Sequence, residues 1–353
     1  MGETLKFIDF CSGIGSGRIG LEKNGMECVG FSEIDKNAEK TYRLFFGDEE
    51  KNYGDLTKII PKELPNFNFL IAGFPCQTFS VIGQRKGMDD MRGQIIFSLI
   101  NILIKKEVKY FLLENVKGLV NHDGGNSLKV ILKALEEVGY FVSYKVLNSL
   151  EYGVPQMRER IYFVGFKKDS VPKDFSFNFP KPKKNNKDLK NFLIDNVVLN
   201  NSEKEQTFQT FLRYLGNNYN KNQYKIPDML KQEYLVIDTR QSDLRIYNKK
   251  VPTLRLGRHG ILYVKENKFR KLTGYESLLL QGIPKYLADV AKNKVSDIML
   301  LKQAGNAMTA TTIEEIGKKI VESIKEINLK TCQTYKPEAQ ILQKMDLEMN
   351  YLL

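Results

Sequence analysis

Residues 5–24 read LKFIDFCSGIGSGRIGLEKN and predict a strand, a glycine-rich turn and a helix in immediate succession. Residues 5–10 form a short apolar run of the kind that becomes a buried β-strand. The turn that follows contains Gly13, Gly15 and Gly17, and glycines at such a position allow a ligand to approach the backbone closely. A strand that leads through a tight turn into a helix is the first unit of an α/β fold.

The same alternation continues as far as residue 166. Apolar runs predict strands, and amphipathic stretches between them predict helices. The predicted strands are 5–10, 27–33, 67–73, 109–115, 141–148 and 160–166, and the predicted helices are 18–24, 37–46, 94–105 and 127–138. This order indicates a mostly parallel sheet with helices on both faces. Because no helical stretch separates the last two strands, we expect them to form an antiparallel pair at one edge.

The pattern changes after the basic, proline-bearing stretch KPKKNN at 181–186, which is typical of a linker. Residues 187–272 are irregular and predict a second, smaller domain of low periodicity. A capping-box pattern, TTIE at 311–314, predicts the start of a helix over 311–324. The expected division is a discontinuous catalytic domain (1–180 and 303–328), a target-recognition domain (181–272), a hinge (273–302) and a C-terminal extension (329–353).

Composition limits the class of protein. The 353 residues are 42% hydrophobic, which is enough for a sizeable core, and the four cysteines and two histidines lack the C-x-x-C spacing of a structural zinc site. No apolar run approaches the roughly 20 residues of a membrane span, and the N-terminal residues lack the apolar region of a signal peptide. We therefore expect a cytoplasmic protein without metal. The net charge of +12 suggests a polyanionic partner, although a lysine-rich proteome gives the same excess.

The glycine turn has an acidic partner in the sequence. Glu33 ends the second predicted strand, 18 residues after Gly15, near the position where an acidic residue binds ribose hydroxyls. This pair fits NAD, FAD or S-adenosylmethionine, and a purely structural turn is compatible with it as well.

A cysteine follows the third predicted strand in the segment AGFPCQTFS at 72–80. Cys76 therefore lies at the carboxyl end of a strand, where open α/β sheets bind their ligands, and Pro75 restricts the chain just before it. The residues beyond combine Gly83, Gly87 and Gly93 with Arg85, Lys86 and Arg92. Glycines and cations together predict a mobile lid over an anionic substrate. The alternative is a buried, inert thiol.

Two further segments supply a carboxyl group and a pair of guanidinium groups. Glu114 ends the next predicted strand, so Glu114 and Cys76 make a candidate acid and nucleophile pair at one rim of the sheet. In an extended chain, Gln156, Arg158 and Arg160 point to one face, and two arginines there suit a carbonyl or phosphate oxygen. An exposed loop glutamate and a solvated edge strand are the structural alternatives.

Together these segments resemble the cytosine-5 DNA methyltransferase family. The shared motifs are GFPCQ (73–77), ENV (114–116), QMRER (156–160) and QAGNAM (303–308), which occur in the family's order and spacing. The resemblance covers about 1–170 and 240–325, and the segment at about 185–240 resembles no family that we can name.

The resemblance implies a Rossmann-like S-adenosylmethionine-dependent fold, S-adenosylhomocysteine as product, and double-stranded DNA as substrate. In this family Cys76 would add to carbon 6 of a flipped-out cytosine, Glu114 would contact ring nitrogen 3, and Arg160 would hold the carbonyl oxygen with Arg158 beside it. The predicted catalytic residues are Pro75, Cys76, Gln77, Glu114, Arg158 and Arg160.

The resemblance also implies a cofactor site. Phe10 and Cys11 would lie beside the adenosine, Glu33 would bind the ribose, and Asp55 would accept from the adenine amino group. The full predicted set is Phe10, Cys11, Gly13, Ile14, Gly15, Glu33, Ile34, Asp55, Leu56, Gly73, Asn306 and Ala307. Cys11 and Ser16 depart from the family pattern, where phenylalanine and glycine are frequent, so the resemblance does not imply aromatic stacking at position 11.

For DNA, the segment VPTLR at 251–255 resembles the one that positions the small domain and the flipped nucleotide. The predicted DNA contacts are Ser80, Arg85, Arg92, Arg240, Thr253, Arg255 and Arg258. We expect a monomer of bacterial modification type, functionally paired with a restriction endonuclease. Three alternatives stay open at this point: a tRNA methyltransferase with the same motifs, a nicotinamide-dependent oxidoreductase, and a catalytically silent DNA-binding protein.

Overall fold

The computed structural model describes residues 4–74, 94–183, 187–195, 201–220, 223–239, 244–257 and 260–349, with the backbone alone at 94, 201–206 and 330–349. Its largest sheet lies in the N-terminal half. The strands of this half are β1 (Lys6–Phe10), β2 (Glu27–Ser32), β3 (Phe69–Gly73), β4 (Tyr110–Val116), β5 (Tyr140–Asn148), β6 (Gln156–Met157) and β7 (Glu159–Lys167). The helices are α1 (Ser16–Glu22), α2 (Lys36–Phe46), α3 (Gln94–Lys105) and α4 (Asn126–Glu137).

The sheet has the order β2-β1-β3-β4-β7-β5. The first four strands are parallel, whereas β7 pairs antiparallel with both β4 and β5. The predicted antiparallel hairpin at one edge is thus confirmed. Each predicted strand and helix of this half agrees with an observed element to within two residues at either end.

Alternate residues of the central strands enter two different cores. Ile8 and Leu70 pack with residues of α3 and α4 on one face of the sheet, and Phe7 and Phe69 pack on the other face. This period of two is what a strand buried on both sides requires, and it confirms the prediction of helices on both faces.

The segment after residue 187 is more regular than its sequence predicts. It contains α5 (Asn201–Leu215), α6 (Ile226–Leu230), β8 (Leu235–Thr239), β9 (Leu244–Asn248), β10 (Val251–Pro252), β11 (Ile261–Lys265) and β12 (Lys268–Lys271). Four of these strands form an antiparallel sheet in the order β12-β11-β8-β9, with a core of its own that includes Phe211 and Ile237. The expectation of an irregular domain was therefore wrong, because the short strands carry too few residues each for their alternation to stand out in the sequence.

Four helices complete the described chain: α7 (Gly274–Leu280), α8 (Lys285–Lys294), α9 (Asp297–Asn306) and α10 (Ala310–Met349). The capping box predicted at Thr311 was wrong. Helix α10 begins at Ala310, whose N–H donates to the Gln281 carbonyl at 2.9 Å, so Thr311 is already inside the helix. A true capping box lies at Thr273 and Glu276, at the start of α7.

Helix α10 returns the chain to the first sheet by packing on α1. Gly20 makes this contact possible, since a Cβ at that position would lie 2.6 Å from the Ala310 carbonyl oxygen and 2.7 Å from Ile313 Cβ. Helix α10 continues for 40 residues, well past the predicted end at 324. Within the described residues, no helix combines the length and the apolar character that a membrane crossing needs.

Candidate active site

The carboxyl ends of β1, β2, β3 and β4 meet at one edge of the sheet because these strands are parallel. Phe10 pairs in register with Ser32 and Ala72, and Gly73 pairs with Glu114. In the order β2-β1-β3, the chain goes from β1 to a neighbour on one side and then crosses to a neighbour on the other side. Open sheets of this kind bind ligands in the crevice where the strand order reverses.

The turn after β1 has the backbone shape that its glycines predict. Gly13 and Gly15 have φ values of 56° and 83°, and Cys11 also has a positive φ, 51°. The Gly13 N–H donates to Glu33 Oε2 at 2.8 Å, and the Asp35 N–H donates to Oε1 of the same carboxylate at 2.8 Å. Glu33 therefore joins the turn after β1 to the segment that opens α2.

Three side-chain oxygens around this turn are buried without a hydrogen-bond partner among the described residues: Asp9 Oδ1, Ser12 Oγ and Ser16 Oγ. Buried polar atoms of this kind are rare because each loses its bonds to water. Burial raises the pKa of Asp9 well above its ordinary value, against the opposing N–H and charge of Arg18. The turn thus has unsatisfied acceptors and donors beside it.

The other predicted cofactor residues occupy the same edge in different ways. Asp55 accepts from the Thr57 N–H and hydroxyl at 3.0 and 2.7 Å, and these bonds lower its pKa, so it is ionised. Ile34 is 71% exposed, whereas Phe10, Ile14 and Leu56 are buried. The Ser32 hydroxyl donates to the Gly54 carbonyl at 2.7 Å and so brings the Asp55 segment to the end of β2.

The end of α9 reaches this edge from the C-terminal part of the chain. Asn306 is exposed, Ala307 is buried, and the next residue, Met308, packs against Gly73 and Gly17. A Cβ on Gly17 would lie 2.7 Å from Met308 Cε, and one on Gly73 would lie 3.4 Å from Met308 Cγ. The chain thus returns to the first sheet beside Gly17 and Gly73.

Glu114 and Arg160 form an ion pair beside this crevice. Arg160 Nε lies 3.1 Å from Glu114 Oε1, and the two side chains are 12% and 10% exposed. Glu114 Oε1 is nevertheless buried without a properly aligned hydrogen-bond donor among the described residues. It is therefore a buried carboxyl oxygen with a positive charge nearby.

Arg158 makes contacts that the sequence did not predict. The chain breaks between β6 and β7 at Arg158, and its guanidinium donates to the carbonyl oxygens of Leu254, Gly305 and Ala307 at 3.0, 3.3 and 2.7 Å. Burial, followed by the charge of Arg160, lowers the pKa of Arg158. The extended-chain argument considered residues 156–160 alone and so could not predict these contacts, and the shared face of Arg158 and Arg160 stays a prediction.

An open groove, here called the Arg160 groove, runs along this side of the molecule. Its walls are Val116, Lys117, Gly118, Glu159, Arg160, Thr253, Arg255, Leu256, Gly305 and Asn306. Two predicted DNA contacts, Thr253 and Arg255, thus lie in one groove with the predicted catalytic Arg160 and the predicted cofactor residue Asn306. The Thr253 hydroxyl donates to the Met157 carbonyl at 2.6 Å.

Several predicted residues lie outside the described residues. They are Pro75, Cys76, Gln77, Ser80, Arg85, Arg92, Arg240 and Arg258. The segment that carries Cys76 leaves β3 at Gly73, directly beside Glu114 in the register.

Comparison with known proteins decides the family. A profile of the C-5 cytosine-specific DNA methylases matches residues 5–322. The chain belongs to the C-5 cytosine-specific DNA methylase family. The type II methyltransferase M.HaeII of Haemophilus aegyptius is 36% identical over 345 residues, which cover 94% of this chain and 97% of that protein. M.NgoBI of Neisseria gonorrhoeae, also a type II methyltransferase, is 37% identical over 324 residues, which cover 89% of this chain and 92% of that protein.

Solved structures agree on the fold. The Entamoeba histolytica methyltransferase EhMeth superposes with a TM-score of 0.65 over 92% of this chain and 99% of its own, at 18% identity. The α/β methyltransferase fold and the assignment as a DNA methylating enzyme, both expected from the motifs, are confirmed.

Sequence reasoning missed two residues of this methylase site. Asn115 Nδ2 donates to the Phe74 carbonyl at 3.0 Å and so ties the end of β4 to the segment that leads to Cys76. Gln156 accepts the Leu254 N–H at 3.2 Å and donates to the Leu280 carbonyl at 2.9 Å. Both lie inside motifs already recognised, ENV and QMRER, so their place in the motif was the available signal. The described residues contain no group of three or more His, Cys, Asp or Glu that could hold a metal.

Proposed function

We propose that this methylase transfers a methyl group from S-adenosylmethionine to carbon 5 of a cytosine within a specific sequence of double-stranded DNA. The observation that carries the proposal is the buried Glu114 Oε1, which lies 3.1 Å from Arg160 Nε, lacks an aligned donor among the described residues, and is level with the strand end that leads to Cys76. A thiol, a cation and a carboxyl group that can share a proton with the ring are what activation of a pyrimidine at carbon 6 requires.

The described residues fit the cofactor. The positive φ values of Gly13 and Gly15 leave the turn open to close approach, and the orphaned hydroxyls of Ser12 and Ser16 offer hydrogen bonds beside it. Glu33 and Asp55 supply carboxylates for ribose hydroxyls and for the adenine amino group. When bound, S-adenosylmethionine supplies an electrophilic methyl group, and S-adenosylhomocysteine is the product.

In the mechanism that we propose, the residues of the chain activate the base. The Cys76 thiolate adds to carbon 6 of the cytosine, which ends the ring's aromaticity and makes carbon 5 nucleophilic. Glu114 shares a proton with ring nitrogen 3 and Arg160 donates to the carbonyl oxygen, so that both stabilise the negative charge that develops on the ring. After methylation, loss of the carbon 5 proton to a base and elimination of Cys76 restore the aromatic ring and the free thiol.

The cytosine has to leave the duplex to reach these groups. Glu114 and Arg160 are about nine-tenths buried, and a base stacked within the helix cannot enter such a site. We therefore propose base flipping, with DNA along the Arg160 groove and with Ser80, Arg85, Arg92, Arg240, Thr253, Arg255 and Arg258 as contacts. The net charge of +12 supports a polyanionic partner.

The relatives suggest the biological setting. Because M.HaeII and M.NgoBI are named type II methyltransferases, we propose a modification enzyme that protects DNA from a cognate endonuclease, acts as a monomer, and works in the cytoplasm where that DNA lies. The boundaries 1–180 with 303–328, 181–272, 273–302 and 329–353 remain our proposed domain division.

Bisulfite sequencing of DNA from cells that express the chain tests the function. We expect protected cytosines within one short sequence, and none in cells that express Cys76→Ser, although that variant still binds duplex DNA. Methyl transfer to tRNA but not to duplex DNA would favour the RNA alternative, and calorimetric binding of NAD rather than S-adenosylhomocysteine would favour an oxidoreductase. Full activity of Cys76→Ser would remove the covalent mechanism.

A further inference from the structure

Arg158 lies where three separate segments of the chain meet. It follows β6, it is 2% exposed, and its guanidinium contacts both the segment after β10 and the end of α9. Its described side-chain hydrogen bonds all go to backbone carbonyls. The Arg158 side chain therefore links the segment after β10 to the end of α9.

The end of α9 suits a buried cation. The Gly305 and Ala307 carbonyls that accept from Arg158 belong to the last turn of α9 and the residue after it. Carbonyls at a helix C-terminus carry a partial negative charge and have no partner within the helix. A planar guanidinium with several N–H groups can satisfy more than one of them at once, which a lysine ammonium cannot do in the same geometry.

Gly305 brings the same two segments into backbone contact. A Cβ at this position would lie 2.5 Å from the carbonyl carbon of Arg255 and 2.6 Å from the Leu256 nitrogen. Only glycine leaves room for main chain at that distance. The backbone of 255–256 is thus seated directly on α9.

The preceding residues of this segment are held by β6. Strand β10 pairs parallel with Gln156 and Met157, the Gln156 side chain accepts from the Leu254 N–H, and the Thr253 hydroxyl donates to the Met157 carbonyl. Beyond these anchors, Leu256 is 54% exposed and lines the Arg160 groove together with Arg255.

We propose that Arg158 is a positioning residue that seats the segment 253–256 against the end of α9, so that Thr253, Arg255 and Leu256 face DNA in the Arg160 groove. This inference rests on the proposed function, because it assigns DNA to that groove. Arg158 then acts on DNA binding through the segment that it holds and touches neither the cytosine nor the cofactor. The Ala307 N–H donates independently to the Gln303 carbonyl at 3.0 Å, so we expect Asn306 to keep its place when Arg158 is replaced.

The test compares Arg158→Met and Arg158→Lys with the wild-type chain in steady-state methyl transfer to duplex DNA. We expect KM for DNA to rise about tenfold or more in both variants while kcat at saturating DNA stays within about threefold. The dissociation constant of S-adenosylhomocysteine, measured by calorimetry, should change less than about threefold. A structural defect of the whole fold would instead weaken cofactor binding and DNA binding together.

A double-mutant cycle with Gly305→Ala keeps the inference falsifiable if one variant folds poorly. Gly305→Ala inserts a methyl group between the same two segments, so its effect on KM for DNA should not add to that of Arg158→Lys. Gly216→Ala, whose added methyl group would meet only the Leu212 carbonyl oxygen at 3.5 Å, is the matched control and should add independently.

The outcomes separate this inference from the proposed function. A wild-type chain that methylates no DNA overturns the proposed function. An active wild type whose Arg158 variants lose about a hundredfold in kcat with unchanged KM would make Arg158 a catalytic residue. Unchanged kinetics in both variants, or full additivity with Gly305→Ala, would also overturn the positioning role.

Discussion

Glu114 and Arg160 are held together by two neighbouring strands rather than by one loop. They come from β4 and β7, which pair antiparallel, and Arg160 stands opposite Val116 in that register. Their side chains approach to 3.1 Å between Nε and Oε1 while both remain about nine-tenths buried. Because each partner is fixed by a sheet, the carboxylate is oriented before any substrate arrives, which is the condition for effective electrostatic catalysis.

We therefore expect Glu114→Gln to lower kcat by about 10²-fold or more with little change in KM for DNA. The amide keeps the size of the side chain but can neither carry a negative charge nor exchange a proton with the ring. Radiolabelled methyl transfer to duplex DNA measures both constants.

The matched control is Glu159→Gln. Glu159 also lines the Arg160 groove, but its side chain is 45% exposed and pairs with Lys117 at 3.0 Å. An exposed pair of this kind contributes little, so kcat should stay within about threefold. Equal losses in the two variants would contradict a specific role for Glu114.

Glu33 offers a second test, on the cofactor. Each of its oxygens accepts a backbone N–H, from Gly13 and Asp35. Glu33→Gln turns one acceptor into a donor that faces an N–H, which disturbs the turn and removes the charge expected at the ribose. We expect calorimetry to show S-adenosylhomocysteine bound about tenfold more weakly, a loss typical of one hydrogen bond to a charged group.

Glu27→Gln controls for a general loss of charge. Glu27 lies at the other end of β2, where it is exposed and pairs with Lys6 at 3.6 Å. Its replacement should leave cofactor binding unchanged. Should Glu33→Gln bind the cofactor as tightly as the wild type does, the assignment of Glu33 to the cofactor site would be wrong.

Local patterns predicted the first half of the chain well. Residues 5–10 and 67–73 are strands buried on both faces, so continuous apolar runs, glycines and the periodicity of the helices between them were sufficient to place them. The same reasoning placed Glu33, Gly73 and Glu114 at one edge, because parallel strands share their carboxyl ends.

The later part could not be predicted in this way. The sheet of 235–271 consists of strands of four or five residues, and so short a pattern does not report pairings such as Ile237 with Leu262. The contacts of Arg158 likewise join it to Leu254 and Ala307, roughly 100 and 150 positions away. A strand rule applied to 156–160 could not anticipate contacts with segments so distant in the sequence.

Gly20 tests how the C-terminal helix completes the first sheet. In a helix interior, Gly→Ala ordinarily stabilises by up to about 1 kcal/mol. Here the added methyl group would lie 2.6 Å from a backbone carbonyl oxygen and 2.7 Å from a Cβ, neither of which can move aside easily. Overpacking of this kind costs about 1–3 kcal/mol, so we expect Gly20→Ala to lower the free energy of unfolding.

Guanidinium unfolding followed by circular dichroism measures this change, since the chain contains no tryptophan. Gly216→Ala is again the control, and it should be neutral or slightly stabilising. An increase in stability for Gly20→Ala would mean that α1 and α10 are not in the close contact described above.

The cysteines provide a pH-dependent prediction. Burial is the main cause that raises the pKa of the Cys28 thiol to about 11, against a smaller opposing effect of Arg18. Burial, followed by the negative charges of Glu33, Asp9 and Asp55, raises the pKa of Cys11 to about 12. Because the thiolate is the reactive form, alkylation of Cys28 at pH 8 should be about 100-fold slower than in the unfolded chain, by the two units between 9.0 and about 11.

Peptide mapping by mass spectrometry after iodoacetamide treatment measures these rates, with the guanidinium-unfolded chain as the reference. The Cys28 rate should rise about tenfold for each pH unit between 8 and 10. The same shift acts on stability, because a thiol whose folded pKa exceeds its unfolded value stabilises the fold fully below about pH 9 and loses that contribution as the pH rises through about 11. The free energy of unfolding should therefore fall less steeply with rising pH in Cys28→Ser than in the wild type. Rapid alkylation of Cys28 in the folded chain at pH 8 would contradict both expectations, since it would mean that the thiol is neither buried nor protonated there.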